Sequence, residues 1–529
     1  MNRSSLSHYP SVHSFAVVII FAFCIAANFW PTIKASKEET NNGEIKNSPK
    51  VKGYRNIANR FDRNTKKIQI TNSRCPTFCE CEHVIWDHGT TDGTTEISVF
   101  CHEGNLDQKA FSKLLKQIPK EVTVLDVEAP LNRPNHLLWD DNLNQLRYLR
   151  VLRLINCAIP AISRALRLPN LEILDLRGNQ IHHLPVSIFS GISSIQELNL
   201  AKNSLSVLPT GAFAYLKHLQ VLSLAYNNIT EITANLLHDL KNLKSLEMDG
   251  NRISLSQLNN VFADIPQLER LELNECGLSM GAVNDLAFDK FYSLRQLGLA
   301  GNMLGKVPIS VLRNNLASLI SLDLSNNGIV EIEPEVFARS NISRLLLAGN
   351  YLGAKSNALS VNSLKTGAIL HELDLSRNNF QHFRAENLGV VREMLEILHL
   401  NGNHISSIGQ WLTANMTKLK ILHLGYNFIE YLPPKLPNEF AQLTFLNLSG
   451  NQLSSLLEHS REMLPMLRMF DISENRFTSF PVTVIQNFLN SLDKVSFRNE
   501  LLHFHHLKFW KIILNNVVSE NFQHISYYF

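Results

Sequence analysis

Residues 171–181 read LEILDLRGNQI. LQVLSLAYNNI at 219–229, LHELDLSRNNF at 370–380 and LTFLNLSGNQL at 443–453 repeat the same skeleton, LxxLxLxxNxL. Taking its Asn/Cys position as a marker gives Cys157, Asn179, Asn203, Asn227, Asn251, Cys276, Asn302, Asn327, Asn350, Asn378, Asn403, Asn427, Asn451 and Asn475, with degenerate copies at Pro130 and Glu500. The markers fall 22 to 28 residues apart, most often 24. Within each copy the LxL pair alternates as a short strand does, leucines inward and their neighbours outward. One such strand cannot bury its inner face alone, so the copies must stack and share a core. Parallel strands then line one side, and the longer returning segments splay the other into an arc.

Fourteen in-register copies resemble the leucine-rich repeat. The resemblance implies an α/β repeat solenoid over residues 122–502: a curved horseshoe with a parallel concave sheet and mostly irregular convex segments. It also implies that the marker Asn buries its amide and bonds backbone of adjacent turns, which meets the need to satisfy buried polar backbone. Cys157 and Cys276 take marker positions five copies apart, about 24 Å at strand spacing. That is beyond disulfide reach, so both read as buried thiols. Phe189, Phe213 and Phe337 recur at matching points of the returns. This resembles the 24-residue class common in secreted and cell-surface animal proteins, whereas cytosolic relatives use longer repeats with full helices.

The N-terminus agrees. Residues 15–30, FAVVIIFAFCIAANFW, follow a weakly basic lead and reach small residues at Ala26 and Ala27. Residues 1–27 therefore read as a cleaved signal peptide, and no later stretch reaches the ~18 apolar residues a membrane span needs. Residues 28–74 form a basic, aperiodic segment read as a disordered linker. Eleven Lys/Arg against four Asp/Glu between Lys34 and Arg74 put the chain's formal charge of +3 there. With no basic stripe along the body, nucleic acid is not an expected partner.

Between linker and repeats, residues 75–121 hold CPTFCECEH at 75–83 and Cys101. His83 and His102 make zinc the rival reading of this cluster. The spacing lacks paired CxxC knuckles, and a secreted chain meets an oxidising environment, so two disulfides are expected. Four cysteines allow three pairings. The pattern CPxxCxC…C resembles the N-terminal cap of extracellular leucine-rich repeat proteins, which implies Cys75–Cys81 and Cys79–Cys101. Such a cap covers the core leucines and strand edge that an open stack exposes.

No catalytic constellation, cofactor motif or metal site stands out, so the chain reads as a binding protein and not an enzyme. The outward residue between the two leucines is acidic at six of fourteen copies, Asp175, Glu247, Glu272, Asp323, Asp374 and Asp471. That favours a cationic partner or simply keeps the face soluble. Towards the C-terminus the adjoining column becomes apolar, Ile397, Ile421, Phe445 and Met469, beside His399 and His423. These six residues are the candidate contact for a protein ligand or matrix protein. Sequons place glycan acceptors at Asn228, Asn341, Asn415 and Asn447, and a glycan at Asn447 would block the strip. Extracellular recognition, as a cell-surface receptor or adhesion ectodomain or a secreted binder, is the function expected. A structural matrix or cuticle component is the alternative. Residues 503–529, with His503, His505 and His506, abandon the repeat and lack the second cysteine cap common in relatives. They read as a non-native tail, with membrane attachment only through an anchor this chain does not show.

Overall fold

The computed structural model describes residues 66–69, 75–86, 94–478 except 234, 316–317, 356–357, 361 and 458–459, and 494–496. Residues 1–27, read above as a signal peptide, most of 28–74, read as a linker, and 503–529, read as a tail, lie outside the described residues.

One 19-stranded sheet runs through the described chain. Lys66–Gln69 pairs antiparallel with Glu80–Trp86, which pairs antiparallel with Thr94–Cys101. From there each strand lies parallel to its neighbour in the stack: Val124–Glu128, Val151–Ile155, then three-residue strands ending with Met469–Asp471 and Lys494–Ser496. The last is the degenerate copy ahead of Glu500. Lys66–Gln69 corrects the reading of 28–74 as disordered throughout. It covers an edge of Glu80–Trp86 that would otherwise present unpaired N–H and C=O groups.

Register follows from the leucines. Leu174, Leu198, Leu222, Leu246 and Leu271 stand side by side and are fully buried, as are their successors Leu345, Leu373, Leu398, Leu422 and Leu446. A one-residue slip would turn every leucine to solvent, so the stack has one stable alignment. Behind the sheet, Phe189, Phe213, Phe262 and Phe337 are buried, with Phe189 and Phe213 stacked at 6.2 Å. Most returns are irregular. Helices Leu255–Ala263, Met280–Asp285 and Ile309–Asn315 fall where the markers are 25 or 26 residues apart, so the extra residues are taken up as helical turns.

The marker amides form the expected ladder. Asn227 Nδ2 donates to the carbonyls of Leu200 and Leu224 at 3.0 and 2.9 Å, and its Oδ1 accepts the Leu205 N–H at 3.1 Å. The pattern recurs to Asn475. Cys157 and Cys276 are buried free thiols that donate to carbonyls, as of Ile155 and Met248, and burial pushes both up to about 12. At the N-terminal end the disulfides are Cys75–Cys81 and Cys79–Cys101, the pairing the resemblance implied. Helix Gln108–Gln117 then lays Phe111, Leu114 and Leu115 against the core, its N-terminus capped by Asp107 accepting the Ala110 N–H at 2.7 Å.

Candidate functional site

Because side chains alternate along a strand, every copy presents its residues on either side of the central leucine on the outer face. Parallel, unslipped pairing turns those residues into columns. Ile397, Ile421, Phe445 and Met469 stand in one column, and His399, His423, Asn447 and Asp471 in the next. All are half-buried. The imidazoles of His399 and His423 stack at 4.5 Å with planes 15° apart, and His423 lies 4.8 Å from the Phe445 ring. The structure thus brings the six candidate contact residues together on four adjacent strands.

The stack has an acidic neighbour that sequence reading missed. Glu372, one strand earlier in the column that becomes apolar, places Oε1 3.6 Å from His399 Nε2, while its Oε2 accepts from Arg344 Nε at 2.9 Å. Burial works against the Glu372 carboxylate, yet His399 and Arg344 hold it below the usual range. Burial, reinforced by His399, pushes His423 down to about 4. His423 is therefore neutral at physiological pH, and this part of the face is apolar and aromatic, edged by the Lys420–Glu396 pair at 3.1 Å. Beyond the strands, Trp411, Tyr426, Phe428 and Tyr431 are exposed, with Phe428 5.4 Å from the His404 ring. The sequence pattern hid them because they fall outside the strand columns.

The middle of the face is different. Arg270 reaches Glu272 at 2.9 Å and Glu247 at 3.6 Å, and both carboxylates lie near enough to Asp249 to disfavour its charge. Burial pushes Asp249 up to about 7, although its Oδ1 accepts the Asn274 N–H at 2.8 Å. Asp175, Glu272 and Asp323 are raised as well, chiefly by burial.

Of the sequon residues, Asn228, Asn341 and Asn415 are exposed and Asn447 is half-buried. Asn447 Oδ1 accepts both the N–H and the hydroxyl of Ser449, at 2.8 and 2.7 Å.

The Leucine rich repeat family matches residues 147–205, 169–215, 193–253, 292–352 and 393–453. Residues 147–253, 292–352 and 393–453 are thus leucine-rich repeats. Intervening copies, such as those at Cys276 and Asn378, continue the same sheet in register. Ras guanine nucleotide exchange factor V of Dictyostelium discoideum is 39% identical over 243 residues, 42% of this chain and 12% of that protein. Keratocan of Gallus gallus is 31% identical over 148 residues, 28% of this chain and 39% of keratocan. The chain thus spans less than two fifths of either relative. A solved leucine-rich repeat protein of Leptospira interrogans aligns at 22% identity and a TM-score of 0.43, over 75% of this chain and 89% of that one. Among the described residues, no helix is long and apolar enough to cross a membrane.

Proposed function

We propose that this chain acts outside the cell, binding a protein partner through the outer strand face between Ile397 and Asp471. The observation that carries the reading is the in-register column Ile397, Ile421, Phe445 and Met469 beside the His399–His423 stack. A half-buried apolar and aromatic strip with a charged edge is the composition of an interface core with its rim. Rigid strands hold its side chains in place before binding, which lowers the ordering cost of association. The two disulfides support an oxidising compartment.

The test is binding of the secreted, tagged chain to intact cells and to deposited matrix. Ile421→Glu and Phe445→Glu are each expected to weaken binding about tenfold or more, while Val186→Glu, at an exposed position in a return, leaves it unchanged. Binding that survives both strip substitutions contradicts the assignment. Retention on matrix alone selects the structural-component reading over a cell-surface role.

A further inference from the structure

The first repeats carry a cluster that partner recognition does not use. Phe100 pairs with Asp126 and Cys101 with Val127 in parallel register, so the next residue, His102, comes level with Glu128. In Val124–Glu128, Leu125 and Val127 are fully buried on the core side, while Asp126 and Glu128 share the outer face. One ligand atom from each of His102, Asp126 and Glu128 lies within 4.8 Å of the others.

Asp126 is 7% exposed. Its Oδ2 accepts from Arg153 Nη1 at 3.2 Å, but its Oδ1 accepts no hydrogen bond and faces His102 Nε2 at 3.4 Å. A buried carboxylate oxygen with no donor calls for a physical explanation.

We propose that His102, Asp126 and Glu128 form a three-ligand site for a divalent transition-metal cation of the zinc class, with water completing the coordination. Imidazole nitrogen and carboxylate oxygen are both zinc donor types, and three protein ligands plus water is the composition of an open zinc site. They supply too few oxygens for calcium, which takes six to eight. Arg153 is a positioning residue: it occupies Oδ2, orients the carboxylate and leaves Oδ1 for the ion. Two carboxylates against one guanidinium leave a net negative site for a cation to fill. The Cys79–Cys101 disulfide fixes the residue before His102, so the ion would tie the cap to the first repeat.

The rival is an ordinary ion pair between protonated His102 and Asp126. To separate the two, the full secreted chain is titrated with Zn2+ in chelator-treated buffer at neutral pH, with calorimetry and thermal unfolding as readouts. His503, His505 and His506 are changed to Ala in every version, so that tail imidazoles do not compete. One Zn2+ per chain is expected, with Tm rising as zinc is added. His102→Gln and Glu128→Gln should each weaken binding at least about tenfold and abolish that rise. The His102 side chain is 52% exposed, so its replacement leaves the core intact. Absence of binding, binding and Tm rise unchanged in His102→Gln, or calcium binding equally well would each overturn the site. So would a His102→Gln effect confined to the pH dependence of zinc-free protein, which identifies the ion pair.

Discussion

The residue before each of the fourteen markers is held at positive φ, from 53° to 71°. Six of these are glycine, and each has a longer side chain from one copy upstream where its Cβ would be: Tyr226 over Gly250 and Tyr426 over Gly450 are two cases. Tyr426 then reaches Glu474 at 2.8 Å, clasping three consecutive copies. Gly450→Ala should therefore cost about 1–3 kcal/mol through overpacking against Tyr426. Tyr426→Ala in the same chain should recover part of it, read as a coupling in a double-mutant cycle of denaturation midpoints. Asn227→Ala should cost about 2–4 kcal/mol in the same assay, because two carbonyls and one N–H lose their buried partner. The ladder was legible in the sequence because Asn recurs at one position. The left-handed column was not, since Tyr, Glu, Lys and Arg fill it as well as Gly and only the neighbouring copy explains the choice.

Just past the strand Ser245–Glu247, a half-buried carboxylate sets a pH dependence. Asp249 has a folded pKa raised to about 7, above the ordinary carboxylate value of about 4. The folded state therefore holds its proton longer than the unfolded one, and this group's contribution to stability is lost as pH rises through about 7. Asp249→Asn keeps an acceptor for the Asn274 N–H, so it should flatten that slope in Tm between about pH 4 and 7 and raise Tm above it. His423 has the opposite sign. Lowered to about 4, it costs stability as pH falls from about 6.5, and His423→Gln should remove that acid-side loss. The sequence placed the two histidines side by side because the repeat interval sets their register. It did not show Glu372 as their partner, since that contact crosses to a strand where the column is still charged.

Across the array, stability is a sum of neighbour contacts, so damage stays near its source. Removing Cys79–Cys101 by double substitution to Ala should cost about 2–4 kcal/mol. Amide protection should fall in Thr94–Cys101 and Val124–Glu128 while the strands near Asn427 keep theirs, as hydrogen exchange would show. Fold and cap were readable from spacing and resemblance. The His102, Asp126 and Glu128 cluster was not, because no local motif joins residues that only parallel pairing brings level. A strand face kept open for a partner from Ile397 to Asp471 requires that no glycan stand within it. Site-resolved mass spectrometry of the chain expressed through a secretory pathway reads glycan occupancy at each sequon. Glycans are expected at the exposed Asn228, Asn341 and Asn415, with Asn447, half-buried within the strip, left bare. A glycan at Asn447, beside Phe445 in the middle of the strip, would contradict the open face.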